Sequence, residues 1–316
     1  MARTFVFPGQ GSQFIGMGQD LAENFVEAKD VFGEVNDALS QDLFKIMCEG
    51  PDDALNLTEN TQPALMAVSV AIMRILEKQG GLDLQKTAKF VAGHSLGEYS
   101  ALTAAGTFTL ADTARLLKLR GQSMQQAVPV GVGAMAAILG LDMNTVETIA
   151  SDATSQSEGE ICEAANDNAD GQVVVSGHKN AVAIAVELAT AQGAKRAVTL
   201  PVSAPFHCQL MGPAAEKMAA ALQDTTMNAP AVPVIANVLA EAVSDADQIR
   251  DLLVQQITGR VRWRESVLWM GQNGIEEIVE IGAGKVLSGL TRRINRDISS
   301  QAVGTPEQID AFIASL

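Results

Sequence analysis

The 316 residues hold only three cysteines, Cys48, Cys162 and Cys208, which stand far apart and form no CxxC pair. An odd, scattered set excludes a disulfide framework and fits a reducing compartment, so a cytoplasmic protein is expected. Histidine is equally scarce, with His94, His178 and His207 alone. No HExxH or paired Cys/His spacing exists, and no metal site is expected. Positive charge is short as well: 22 Lys and Arg face 37 Asp and Glu, a net charge of −15. That surface repels nucleic acid and anionic bilayers, and neither is expected as a partner. Long apolar runs are missing; "ALMAVSVAIM" stops at Arg74, short of the roughly 18 residues a membrane helix needs. The opening "MARTFVFPGQGSQ" breaks at Pro8 and Gly9 before a secretory apolar region could form.

What is present is an ordinary globular composition, 47% hydrophobic and 19% charged, in a chain long enough for one large domain or two. "TFVFP" reads as a strand feeding the glycine loop "GQGSQ", and "KFVAG" as a second buried strand. Between them a helix is expected from a cap at Thr61 to a stop at Gly80, and after them another opened by Thr109 with Asp112 at the capping-box position. Strands alternating with helices predict an α/β fold with a parallel sheet. From about residue 131 the order becomes β-α-β-β-α-β, the ferredoxin-like unit, before the helix–strand alternation resumes. The expected organisation is a large α/β domain in two parts, 1–129 and 201–316, with a small ferredoxin-like domain at 130–200 inserted between them.

The chemistry centres on "VAGHSLGEYSA", where Ser95 sits in a GxSxG pattern between an apparent strand and helix. In a nucleophile elbow the glycines permit the tight turn, the serine hydroxyl is lifted clear of the sheet, and the Leu96 N–H faces a developing oxyanion. The plainer reading is a serine N-cap with glycines for turn geometry. A nucleophilic serine needs a base. His94 is a neighbour in sequence and reads as a structural ring, and His178 reads as surface at a helix start. His207, in "VSAPFHCQLM" where the chain returns to the larger domain, is left by elimination. No histidine follows it, so the acid–histidine pair of an α/β-hydrolase is absent and a backbone or side-chain carbonyl is expected to orient the ring. Arg120 shares a helical stripe with Leu116, Leu117 and Met124, which points a guanidinium at the apolar side. There it snorkels out to solvent, pairs with an internal carboxylate or receives an anionic ligand, a planar fork being suited to a carboxylate. "FPGQGSQ" is no phosphate loop, since Phe14 stands where a third glycine belongs and no lysine follows, but the Gln10 N–H could face an oxyanion.

Taken together and in order, "FPGQGSQ", "GHSLGE", "LRGQSMQ", "NDNADGQVVVSG", "PVSAPFH", "VRW" and "EIGAGK" make the chain resemble, over essentially its whole length, the malonyl-CoA:acyl carrier protein transacylases of fatty acid and polyketide synthesis. The resemblance implies an α/β-hydrolase-like large domain with an inserted ferredoxin-like domain. It implies Ser95 as acyl-accepting nucleophile, His207 as general base, and the N–H groups of Gln10 and Leu96 as oxyanion donors. Arg120 would take the free carboxylate of the malonyl group, and the glutamine that orients the histidine near the V-x-W segment falls by spacing on Gln256, with Gln255 beside it as the alternative; Gln256 is also counted among the substrate-binding residues. Asn166 and Asn168 would line the thioester cleft, and Phe206 would leave little space for an α-methyl substituent. No cofactor is implied: malonyl-CoA is a substrate, and the phosphopantetheine thiol arrives on acyl carrier protein. A monomer is the expected state. Two positions depart from the family pattern, Arg260 where proline is common and Ala283 within the usual G-P-G turn. Carrier protein is acidic, and either Arg260, Arg262 and Arg264 or Lys285, Arg292, Arg293 and Arg296 offer a basic docking patch. A hydrolase using the same elbow and a non-catalytic acyl-binding module are the rival readings; neither leaves a turnover-competent malonyl-serine.

Overall fold

The computed structural model describes residues 1–202 and 204–316, so that Ser203 of the "PVSAPFH" segment lies outside the described residues. Ten strands are described: β1 Arg3–Phe7, β2 Phe90–Gly93, β3 Gly133–Leu139, β4 Cys162–Ala169, β5 Gln172–His178, β6 Arg196–Thr199, β7 Val234–Ile235, β8 Ala242–Val243, β9 Glu277–Ile281 and β10 Ser299–Val303. They form two sheets. The larger, ordered β10-β9-β1-β2-β7-β8, is parallel except at its β7–β8 edge. Its central strands are near-continuous apolar runs because helices cover both faces, with Phe5, Val6, Val91, Ala92, Ile278 and Val279 fully buried. The smaller sheet, ordered β4-β5-β3-β6, is antiparallel throughout. Helices Met143–Gln156 and Lys179–Ala191 bury Val146, Ile149, Val182 and Ala185 in a separate core with its strands. This is the mixed α/β, two-domain architecture, and the expected ferredoxin-like order is the one found.

Three features differ from the sequence expectations. The long helix runs Thr58–Gly80, beginning three residues before Thr61. Thr61 is not its cap: its hydroxyl donates backward to the Leu55 and Leu57 carbonyls, at 2.6 and 3.2 Å. Thr109 does cap the helix Leu110–Gln126 by accepting from the Asp112 N–H at 3.1 Å, but the Asp112 carboxylate takes the Thr109 hydroxyl rather than the backbone, so the capping box is incomplete. Strand β10 and the last helix, Pro306–Ile313, add an edge to the larger sheet that the pattern did not announce.

The smaller sheet is tied to the rest of the molecule at the "RVRWR" segment. Val261 exchanges backbone bonds with β4, donating to Ala165 O and accepting from Asp167 N–H, each at 2.9 Å. Arg264 grips the buried Asp167 carboxylate, and Arg260, one of the two departures, donates to Ala164 O at 3.0 Å. The join coincides with register shifts in β4 around Asn166 and Asn168, which carry both toward the cleft between the sheets.

Candidate active site

Three neighbouring strands, β1, β2 and β7, run out at the same end of the larger sheet, where open α/β sheets bind ligands. Gln10 follows the first, Ser95 the second and Asn237 the third. Ser95 adopts φ 54° and ψ −109°, a backbone state that costs a serine on the order of 1–3 kcal/mol. The glycines around it are required by contact. A Cβ on Gly93 would stand 1.9 Å from the Gly97 carbonyl carbon, and one on Gly97 would stand 2.2 Å from Phe7 O. Asn237 holds the turn by accepting from the Ser95 N–H and donating to Gly93 O, both at 2.7 Å. The Ser95 side chain makes no cap bond to the helix Leu96–Ala104, which leaves the hydroxyl free for other partners.

Those partners are an imidazole and a guanidinium. His207 Nδ1 lies 2.8 Å from Gln256 O and 3.2 Å from Gly259 O. Carbonyls only accept, so Nδ1 carries the proton and Nε2 accepts from the Ser95 hydroxyl at 2.8 Å. Burial, and then the positive charge of Arg120, push the His207 pKa down to about 3, so the ring is neutral at neutral pH. Arg120 is 1% exposed. Its fork donates to Gln62 Oε1 at 2.9 Å, to Gln256 Oε1 at 2.9 Å and to the Ser95 hydroxyl oxygen at 3.1 Å. Among the described residues no carboxylate lies within ion-pair distance of it. Of the three readings the sequence left for this arginine, its burial excludes snorkelling to solvent and the geometry shows no internal ion pair among the described residues.

Serine, histidine and arginine open on one cavity of about 180 Å³. Gln10 and Leu96 line it, and Leu96 is the first residue of its helix, so its N–H has no acceptor within the helix. Asn166, Asn168 and Phe206 line it too, and Met124, Met135, Val174 and Leu200 supply apolar walls. Asn168 is engaged: its Oδ1 accepts from His94 Nε2 at 2.8 Å, and the His94 ring, tilted against Trp263, also lines the cavity beside Ser95. His178 accepts from the Ile161 N–H at 3.0 Å within the smaller sheet's domain and is remote from the cavity lining.

Gln256 meets the histidine as expected, but its side chain is not on the substrate side. Its main-chain oxygen orients His207, while its fully buried side chain holds Arg120 and does not line the cavity. Residues 4–306 match the protein family described as "Acyl transferase domain". The chain belongs to that acyl transferase family. It is 47% identical over 309 residues to the malonyl CoA-acyl carrier protein transacylase of Escherichia coli (strain K12), covering 98% of each chain. Among solved structures, the acyl-carrier-protein-S-malonyltransferase from Bartonella henselae superposes with a TM-score of 0.97 at 57% identity, covering 100% of this chain and 99% of that one. A type II PKS acyl-carrier protein in complex with its malonyl-transacylase gives 0.95 at 42% identity, with 100% of both chains covered.

Membership of the acyl transferase family makes the residues that the sequence reading passed over informative. Gln62 and Asn237 bond to Arg120 and to the elbow, and Glu98 completes their network. Glu98 stands three residues after Ser95, the spacing of a capping box. Its carboxylate nevertheless turns inward instead of capping. No helix among the described residues is long and apolar enough to cross a membrane.

Proposed function

We propose that this acyltransferase moves the malonyl group from malonyl-CoA to the phosphopantetheine thiol of acyl carrier protein through a malonyl ester on Ser95. The carrying observation is the buried Arg120 fork, free of any carboxylate among the described residues and bonded to the hydroxyl that would be acylated. A malonyl carboxylate arriving at the fork places its own thioester carbonyl next to that hydroxyl.

His207 Nε2 takes the Ser95 proton as the oxygen attacks the thioester carbon, and the tetrahedral oxyanion rests on the N–H groups of Gln10 and Leu96. The C–S bond breaks, the proton on Nε2 passes to the CoA sulfur, and a malonyl-serine ester remains. The carrier thiol then gives its proton to Nε2, attacks the ester, and the serine oxygen leaves with that proton. The imidazolium formed in each half is held by the Gln256 and Gly259 carbonyls, which orient the ring without a carboxylate that would compete for Arg120. Asn166 and Asn168 line the thioester path. The reaction requires no cofactor. Arg120 rejects acetyl groups because a donor without a carboxylate leaves a buried guanidinium unmet.

The same reading divides the chain at 130 and 200, with the smaller domain closing the cleft over Ser95, and takes the protein as a monomer working in the cytoplasm. It also separates the two basic clusters. Arg260, Arg262 and Arg264 are each paired with a carboxylate, Glu147, Glu265 and Asp167 in turn. Lys285, Arg292, Arg293 and Arg296 are exposed, with no carboxylate partner among the described residues. Their segment begins beside Gly284, which packs against Ser12, two residues from the cavity-lining Gln10. This second cluster suits docking of an acidic carrier. Initial rates with both substrates varied test the scheme: parallel double-reciprocal lines support a covalent intermediate, and intersecting lines refute it.

A further inference from the structure

Behind the guanidinium lies a carboxylate that the transfer step does not use. Glu98 is 1% exposed and does not line the cavity. Its Oε2 accepts from the Asn237 backbone N–H at 3.0 Å and from the Gln256 side-chain Nε2 at 2.9 Å. The first bond fixes where the oxygen stands. The second fixes which way the amide faces, because Nε2 must point at Glu98 and at Ser95 O, 3.0 Å away, leaving Oε1 toward Arg120. A glutamine turned over would present an N–H to the guanidinium, donor against donor. Burying a carboxylate at this depth is costly unless it is well bonded, so its place directly behind the arginine calls for a role.

We propose that Glu98 is a positioning residue for malonyl transfer: anchored by Asn237, it locks the Gln256 amide, which aims the Arg120 fork at the place where the substrate carboxylate arrives. The inference rests on the malonyl-transfer reading above. Preference for a carboxylated acyl group then depends on a second carboxylate that never meets the substrate. A merely structural Glu98 would support all donors alike, whereas one that aims Arg120 matters most to a donor with a carboxylate.

Single-turnover acylation by malonyl-CoA and by acetyl-CoA, followed in the unaltered protein, Glu98→Gln and Glu98→Met, separates these. Gln keeps an acceptor oxygen; Met keeps the length and removes it. The expected result is a tenfold or greater loss with malonyl-CoA in Glu98→Met, chiefly in apparent affinity, with acetyl-CoA changed less than threefold. Glu98→Gln stays within threefold of the unaltered protein for both donors. In an Arg120→Ala background the Met substitution has no further effect on the ratio of the two donors. Equal losses for both donors, no loss in a folded Glu98→Met, or Glu98→Gln as impaired as Glu98→Met would each overturn the proposal. Should Glu98→Met not fold, Glu98→Asp withdraws the oxygen by one methylene and carries the same expectation. Failure of the unaltered protein to form malonyl-Ser95 would instead defeat the transfer reading itself, and this inference with it.

Discussion

Replacing Arg120 by alanine probes the specificity of the site at its source. The fork is 1% exposed and opens on a cavity of about 180 Å³, so a carboxylate bound there is largely out of water. Removing one partner of such a buried pair costs about 3–5 kcal/mol, which at 1.4 kcal/mol per factor of ten is roughly two to four powers of ten in kcat/KM for malonyl-CoA. Acetyl-CoA makes no such pair. What it loses is the Arg120 bond to the Ser95 hydroxyl at 3.1 Å, worth about 1 kcal/mol net, so its rate should change by less than about tenfold. Gln62 and Gln256 are left without their donor, but the vacated volume admits water to both. The ratio of malonyl to acetyl transfer should therefore fall at least tenfold, read by rapid-quench acylation and intact mass. Arg120→Lys, which keeps the charge without the fork, should lie between. Equal losses for both donors, or retained malonyl preference in a folded Arg120→Ala, would refute the reasoning.

Further outcomes concern Phe206, His207 and the two basic clusters. Phe206→Ala, which removes a ring from the cavity wall, should raise methylmalonyl-CoA relative to malonyl-CoA by tenfold or more in competition assays; an unchanged ratio would remove the ring from the specificity account. With the His207 pKa held near 3, acylation should fall less than threefold between pH 7.5 and 5, where an imidazole titrating at about 6.5 would lose roughly thirtyfold. The sign for stability follows: the depressed pKa contributes stability complete above about pH 6.5 and lost as pH falls toward 3, so His207→Gln should flatten acid unfolding in that window. Charge reversal at Lys285, Arg292 and Arg293 should raise KM for carrier protein about tenfold and leave malonyl-Ser95 formation unchanged, whereas reversal at Arg264 should act through stability by breaking its grip on the buried Asp167.

The elbow was legible in the sequence because its constraint is local. Gly93 and Gly97 face backbone atoms within 2.5 Å of any Cβ, and only glycine answers that. The ferredoxin-like unit was legible because its strands and helices alternate with clear periods. Arg120 was legible as an oddity, a charge on an apolar stripe, but its meaning depended on residues 58 and 136 positions away in the chain, Gln62 and Gln256. The residues that were not legible act through contacts of that kind. Asn237 follows a two-residue strand, and nothing in "IANVLA" announces that its amide brackets Gly93 and Ser95. Strand β10, "SSQAV", is polar and half-exposed at the sheet edge, so it lacks the apolar run that marked its neighbours. The assignment of Gln256 to His207 held only for its main-chain oxygen, because the side chain and the carbonyl of one helical residue face different partners.

The account stands or falls on a covalent malonyl group at Ser95. Incubating the protein with malonyl-CoA and reading intact and peptide masses should show one malonyl adduct on the peptide containing Ser95, none in Ser95→Ala, and its complete discharge on adding phosphopantetheinylated carrier protein. An adduct elsewhere, none at all, or one that water removes as fast as the carrier does would contradict it.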